Sequence, residues 1–206
     1  MSVGVRKRKP ITEAQYLKLE RAAETKSEFL DGEVYAMTGA SRQHNTITVN
    51  ATVALHPQVI QRQCEIYTND LRVKVSATGA YLYPDIAIAC GGQFEDQEVD
   101  TLLNPRVIIE VLSKSTAALD RGEKFESYRK LDSLMEYLLV SQSRCHIEHY
   151  LRQTDGKWLL VEYDDPNDII ELPSIGCQLS LGTIYSRIAL IIKEEGPTWE
   201  SLREAR

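Results

Sequence analysis

The fold is decided by two apolar runs, RVIIEVLS at positions 106–113 and YPDIAIAC at positions 83–90. Their β-branched content is typical of strands that are buried on both faces. Each run nevertheless carries an acid: Glu110 lies in the middle of the first run, and Asp85 opens the second. A buried carboxylate is costly unless it is paired, hydrogen-bonded or bound to a metal. We therefore expect the two acids to share one site.

A site with two carboxylates favours a hard cation such as Mg²⁺ or Mn²⁺. The reaction that most often needs such a site is phosphodiester hydrolysis, because the cation binds the phosphate and activates water. Each acid also has a simpler interpretation. Asp85 follows Pro84 and could be an ordinary strand-start residue, and Glu110 could form a structural ion pair with Lys124.

Length and composition indicate one globular domain of 206 residues, with 43% apolar and 26% charged residues. We expect a flexible basic tail at 1–10, a single domain at 11–195 and a C-terminal tail at 196–206. No apolar run approaches the roughly 18–20 residues that span a bilayer, so we expect no membrane association. The net charge of −6 disfavours a broad nucleic-acid-coating surface but allows a local basic channel.

The cysteines are far apart in the sequence and form no C-x-x-C pair. This spacing favours reduced, structural cysteines over disulfides or a zinc site. With no signal peptide visible at the N-terminus, it also predicts a cytoplasmic location. The cysteines are Cys64, Cys90, Cys145 and Cys177.

The first half of the chain predicts two helices, a hairpin and three strands. Thr12 and Gln15 form the capping box of the first helix. The hairpin spans 27–37, and its dipeptide Asp31-Gly32 suits a type I′ turn. The second helix begins at Ser41, and Pro57 should end or kink it. The remaining elements are strands at 64–68, 70–76 and 84–90, followed by an acidic loop at 91–104.

The second half predicts a helix from Asp120 to Leu131 and a closing helix from Leu181 to Glu194. Strands are expected at 136–141, 145–152, 158–163 and 169–172. With the helices outside and the strands inside, the chain predicts an α/β (α+β) domain with a single central mixed sheet flanked by helices.

Several blocks of the sequence carry a resemblance when they are taken in order. They are KSEFLDGEVYAM (26–37), His44, YPDI (83–86), IEVLSKST (109–116), DRGEKFESYR (120–129) and EYLLV (136–140). Together they resemble the Uma-type restriction endonucleases, a family of the PD-(D/E)XK nuclease superfamily, over roughly residues 11–190. The resemblance implies a restriction-endonuclease-like core and a metal-dependent endonuclease that hydrolyses DNA.

The resemblance also implies roles for individual residues. Asp85, Glu110 and the carbonyl of Val111 would bind Mg²⁺ or Mn²⁺. The superfamily places a lysine two positions after the second acid, where this chain has Leu112. The resemblance implies that in this family the lysine lies on the following helix instead, where this chain has Lys124.

The superfamily often uses a third carboxylate from the N-terminal part, and Glu28 is the favoured catalytic candidate. Glu33 is its nearest rival, because the hairpin register decides which of the two points inward. His44 is a candidate phosphate contact or general base, or simply a capping histidine. Lys114 is a candidate substrate contact, or a solvated residue at the strand end.

The resemblance further implies DNA as a partner and a homodimer, which an edge strand in the second half could support. A different class of function remains open. The displaced lysine and the acidic pI of about 5.3 are compatible with a non-catalytic nucleic-acid or protein binding module on a nuclease fold.

Overall fold

The chain is described by a computed structural model that covers residues 11–37, 39–95 and 100–188. Its centre is a mixed six-stranded sheet with the strand order β11-β10-β9-β8-β6-β3. Neighbouring strands in this sheet are antiparallel except β8 and β9, which are parallel. The strands are β3 (Glu65–Thr68), β6 (Ile86–Ala89), β8 (Val107–Leu112), β9 (Glu136–Ser141), β10 (Ile147–Arg152) and β11 (Trp158–Tyr163).

A second sheet of five strands, in the order β2-β1-β5-β4-β7, packs against the first, and β12 and β13 form a separate hairpin. The prediction of a single sheet was wrong because the strand at 80–82 is too short to give a periodic signal. This strand pairs with both β1 and β4 and so creates the second sheet. The strands are β1 (Ser27–Leu30), β2 (Glu33–Ala36), β4 (Arg72–Val75), β5 (Ala80–Leu82), β7 (Thr101–Leu102), β12 (Ile169–Leu172) and β13 (Cys177–Ser180).

The helices are α1 (Glu13–Ala22), α2 (Arg42–Gln61), α3 (Ala117–Leu119), α4 (Phe125–Tyr128) and α5 (Leu181–Ile184). A π-helical turn, Asp120–Lys124, joins α3 to α4. The helix after β8 therefore begins at Ala117 and ends at Tyr128, shifted toward the N-terminus from the predicted span. The closing helix ends at Ile184 and a turn follows at 185–187, so the predicted continuous helix to Glu194 was wrong at 185–188. Its predicted part beyond residue 188 lies outside the described residues.

Successive side chains of β8 alternate between the two faces of the central sheet, as expected for a strand. Val107, Ile109 and Val111 pack in a cluster with residues of α2. Ile108 and Leu112 pack on the opposite face, in a cluster that includes Tyr128 of α4 and residues of the second sheet. The central sheet is thus covered by α2 on one face and by the second sheet with the 117–128 segment on the other, which places Glu110 on the second face.

The capping box of α1 and the hairpin turn predicted for the N-terminal part are both present. The capping box of Thr12 and Gln15 is present at the start of α1. Asp31 and Gly32 both have positive φ, 51° and 80°, as a type I′ hairpin turn requires.

Pro57 does not end α2, which continues to Gln61. A proline removes one hydrogen bond and strains the helix. Burial of Leu55 and Val59 on either side of Pro57 holds the helix together against this cost.

The predicted loop at 91–104 and the predicted tails are only partly covered by the described residues. The acidic loop at 91–104 contains the short strand β7 and a bridge between Phe94 and Leu102, while 96–99 lie outside the described residues. The predicted tails at 1–10 and 196–206 lie outside them as well, so the domain limits stay a prediction. In the described ranges, no helix is long and apolar enough to cross a membrane.

The expectation of reduced cysteines was wrong for one pair, because Cys64 and Cys90 form a disulfide. Glu65 pairs with Ala89 in the antiparallel register of β3 and β6, so the two cysteines lie opposite each other one step further out. Cys145 and Cys177 are free. The cytoplasmic location stays a prediction, and a disulfide counts against it.

Candidate active site

The register of β6 and β8 brings Asp85 and Glu110 together. Ile86 pairs with Ile109, so the acids lie opposite each other immediately beyond that pair. A carboxylate oxygen of Glu110 accepts the backbone N–H of Asp85 at 3.3 Å. In return, Asp85 Oδ2 accepts the backbone N–H of Val111 at 2.7 Å. Each acid is therefore tied to the strand that carries the other.

Lys124 reaches the same place from the π-helical turn. Its ammonium lies 2.8 Å from Glu28, 3.3 Å from Asp120 and 3.4 Å from Glu110, and its side chain is 6% exposed. Burial alone would lower the pKa of Lys124, but the carboxylates of Glu110, Glu28 and Asp120 raise it well above its usual value. Lys124 is therefore a permanent cation at neutral pH.

Glu28 faces the cluster and Glu33 does not. Glu28 is buried in β1 and accepts the backbone N–H of Tyr83 at 3.0 Å in addition to its ion pair with Lys124. Glu33 is on the exposed side of the hairpin, and its carboxylate lies 3.4 Å from the hydroxyl of Tyr35. The hairpin register thus brings Glu28 to the lysine and leaves Glu33 in solvent.

Asp120 is a member of the cluster that sequence reasoning missed. The sequence around Asp120 predicts only the start of a helix. Asp120 is 2% exposed, and its Oδ1 is ion-paired with Lys124 yet has no hydrogen-bond partner among the described residues. The available signal was its position four residues before Lys124, which places the two side chains on one helix face.

Tyr128, one helical turn after Lys124, is a further neighbour of Glu110 in the cluster. Its buried hydroxyl donates to Glu110 Oε1 at 3.3 Å. Burial, followed by the negative charges of Glu110 and Glu28, raises the pKa of Tyr128 well above its usual value. Tyr128 is therefore a neutral hydrogen-bond donor to Glu110.

The pKa of Glu110 is raised well above its usual value. Burial is the largest cause; Lys124 opposes it, and Asp120, Asp85 and Glu28 raise the pKa further. The position of Glu110 is thus one where added positive charge would be strongly stabilising.

His44 and Lys114 have different relations to the cluster. His44 lies near the start of α2, where its backbone N–H donates to Ser41. Its ring Nε2 is 2.8 Å from Asp85 Oδ1. Lys114 is exposed on the turn after β8 and lines a neighbouring cleft instead.

The donor chemistry of this cluster fits a divalent cation. Four carboxylates, Asp85, Glu110, Glu28 and Asp120, face one lysine and one histidine, so the buried group carries excess negative charge. Within the described ranges no group of three or more His, Cys, Asp or Glu side chains is arranged so that it could hold a metal ion by itself. Mg²⁺ does not need such a group, since it commonly binds one or two carboxylates and keeps several waters.

Comparison with known proteins agrees with this architecture. Residues 13–183 match the family Uma2, described as "Putative restriction endonuclease". The chain belongs to the Uma2 family. Two relatives from Synechocystis sp. are similar to it. Uncharacterized protein sll1609 is 40% identical over 79% of this chain and 93% of its own length. Uncharacterized protein slr1290 is 35% identical over 85% of this chain and 91% of its own length.

A solved structure resembles this Uma2-family chain along most of its length. It is the crystal structure of a "putative nuclease belonging to DUF820" from Anabaena variabilis, with a TM-score of 0.67 and 20% identity. The match covers 87% of this chain and all of that one. The restriction-endonuclease-like core predicted from the sequence is confirmed, as is the membership of the Uma family.

Proposed function

We propose that this Uma2-family chain is a Mg²⁺- or Mn²⁺-dependent endonuclease that hydrolyses DNA phosphodiester bonds. One observation carries the proposal: Asp85 and Glu110 are linked across two strands and adjoin the buried ammonium of Lys124. In a family described as "Putative restriction endonuclease", this combination supports metal-assisted phosphodiester hydrolysis.

Asp85 and Glu110 would hold the cation together with the carbonyl of Val111. The N–H and C=O of a residue in a strand point to the same side, and the N–H of Val111 points to Asp85. Each carboxylate oxygen has two acceptor positions, so the hydrogen bonds observed leave Asp85 and Glu110 able to bind a metal ion as well. When bound, the cation supplies Lewis-acid activation of the phosphate and of a water.

Lys124 would orient the attacking water and stabilise the negative charge that develops on the phosphate. Glu28 is its nearest partner, at 2.8 Å, so we assign Glu28 to positioning the ammonium rather than to binding the metal. His44 would hold Asp85 Oδ1 and contact the phosphate from the rim of the site, and Lys114 would contact the substrate further out.

We also propose that the protein acts on DNA as a homodimer. The strand β11 lies at one edge of the central sheet, and its Leu159 and Leu160 are exposed. An edge strand has unpaired backbone groups that a second copy can pair with. Light scattering coupled to size exclusion tests this, and a monomeric mass at micromolar concentration would contradict it.

The experiment that tests the catalytic proposal is cleavage of labelled supercoiled and single-stranded DNA with Mg²⁺ or Mn²⁺. Wild type is compared with Glu110→Ala and with an EDTA control. We expect metal-dependent nicking that both EDTA and the variant abolish. If wild type binds Mn²⁺ in a Glu110-dependent way but cleaves neither DNA, the non-catalytic binding module replaces the nuclease.

A further inference from the structure

A cleft of about 640 Å³ opens next to the acidic cluster, at the carboxyl ends of the parallel strands β8 and β9. Leu112 lines it, two residues beyond Glu110 on the same strand face. The other walls are the turn after β8, the turn after β9 (141–144) and the start of α2 just before His44. The lining therefore comes within two residues of Glu110 along β8 and within one residue of His44 along α2.

The chemistry of the cleft is opposite to that of the chain as a whole. Its lining includes three cations, five serines and two glutamines. In the part of the chain that the structure describes, neither a carboxylate nor an aromatic ring lines it. The whole chain has 30 acids against 24 lysines and arginines, so a cleft lined by cations alone is a local reversal of charge.

The three cations differ in what they contact. Arg121 donates to Glu148 from Nε at 2.9 Å and from a terminal nitrogen at 2.5 Å, so its charge is already matched. Lys114 and Arg144 are exposed, and neither has an ion-pair partner within the described ranges. These two side chains are therefore available to an anionic ligand.

The turns that carry the two available cations are held by their own hydrogen bonds. Ser141 Oγ accepts the backbone N–H groups of Ser143 and Arg144, both at 3.3 Å. On the other turn, Ser113 Oγ accepts the backbone N–H of Thr116 at 3.1 Å. A turn fixed in this way loses little conformational entropy when it binds a ligand.

We propose that this cleft binds the sugar–phosphate backbone of the strand to be cut, through Lys114 and Arg144, and does not read its bases. Cations and hydroxyl groups are the usual partners of phosphate oxygens, and such contacts carry no sequence information. The bases of a single strand are held largely by stacking on aromatic rings, which this lining lacks. The inference rests on the proposed function and assigns its substrate contacts.

The test is equilibrium binding of fluorescein-labelled DNA, in EDTA so that no strand is cut. Two unrelated sequences are used, each as single strand and duplex, at several salt concentrations. The variants are Lys114→Gln, Arg144→Gln and their combination. Lys18→Gln is the matched control, because Lys18 is an exposed lysine of α1 that does not line the cleft.

We expect each cleft variant to weaken binding about fivefold, equally for both sequences. The slope of log affinity against log salt should become shallower by about 0.7–0.9 for each cation removed. Lys18→Gln should match wild type. Unchanged affinity in the double variant would overturn the inference, and so would a loss confined to one sequence.

A parallel cleavage assay of the same DNAs and variants in Mg²⁺ separates this inference from the nuclease proposal. If wild type binds DNA through Lys114 and Arg144 but never cleaves it, the inference stands and the catalytic proposal fails. If wild type cleaves DNA and the double variant binds and cleaves equally well, the inference fails alone. Binding of inorganic phosphate that depends on Arg144, with no DNA binding by wild type, also overturns it.

Discussion

Replacing Lys124 by methionine removes the only lysine of the acidic cluster while keeping a side chain of similar length. Three buried carboxylates lie within 3.4 Å of its ammonium, and Glu28 is the nearest, at 2.8 Å. At an effective dielectric constant of about 20, the attraction between Lys124 and Glu28 is about 6 kcal/mol before desolvation. Since burying the ammonium costs much of this, the net effect is smaller than the Coulomb energy.

Removing one partner of a buried ion pair costs about 3–5 kcal/mol, because the remaining charges are left uncompensated. For a chain of this size, that loss corresponds to a fall in melting temperature of roughly 6–20 °C. We expect Lys124→Met to show this loss of stability in urea titration and thermal unfolding. We also expect it to abolish DNA cleavage under conditions in which it is still folded.

The double variant Lys124→Met/Glu28→Gln separates the two effects. It removes the nearest orphaned charge, so we expect it to regain part of the lost stability without regaining cleavage. A loss of less than about 1 kcal/mol in the free energy of unfolding of Lys124→Met would contradict this prediction. The ion pairs of Lys124 would then contribute little to stability. Full cleavage by the single variant would remove Lys124 from the catalytic group.

Three further predictions concern the disulfide, acid stability and the tyrosine of the cluster. Reducing the Cys64–Cys90 bond, which links residues 26 apart, should lower the free energy of unfolding by about 3.5 kcal/mol in the chain-entropy estimate, as measured by urea titration. Burial alone would raise the pKa of Asp100, but hydrogen bonds from two arginines outweigh it and hold the pKa well below its usual range. The stability from this lowered pKa is present above the unfolded-state pKa of about 3.9 and is lost as the pH falls through the folded-state value. Asp100→Asn should therefore flatten the acid limb of a stability–pH curve. Tyr128→Phe removes the hydroxyl donor to Glu110 and should cost about 1.5–3 kcal/mol in urea titration.

Each of these has a matched control. A variant with both Cys64 and Cys90 changed to serine should be indifferent to reductant, and a further shift on reduction would contradict the first prediction. Asp132→Asn removes an exposed acid that has no ion-pair partner among the described residues, so an equal flattening there would refute the role of Asp100. Tyr35→Phe removes a hydroxyl outside the cluster and should cost less than Tyr128→Phe.

The acidic pair could be predicted because its signal is local. Two β-branched runs, each interrupted by a single carboxylate, predict buried strands with a charge to satisfy. Alternation along β8 then separates the face of Glu110 from the face of Val111, and both appear where the period of two places them. The restriction-endonuclease-like core followed from the order of the sequence blocks.

What the sequence could not predict depends on long-range pairing. Cys64 and Cys90 meet only because β3 and β6 pair in one particular register, which neither cysteine encodes. The second sheet depends on the three-residue strand β5, whose length gives no periodic signal. The spacing of Asp120 and Lys124 indicates that they share a helix face, but nothing in the sequence indicates the π-helical turn that contains both residues.

The π-helical turn has a consequence for which insertions and deletions this chain can tolerate. Lys124 and Glu110 are 14 residues apart, and the connection between them is mostly helical. Losing or gaining one residue in a helix rotates everything on its far side by about 100°, which would turn the lysine away from the strand. Length changes should therefore be excluded within the helical part of the connection, 117–124, yet accepted in the turn at 153–157, where a hairpin loop is exposed to solvent. Homologous chains should differ in length in the turn at 153–157 and keep a constant spacing between Glu110 and Lys124.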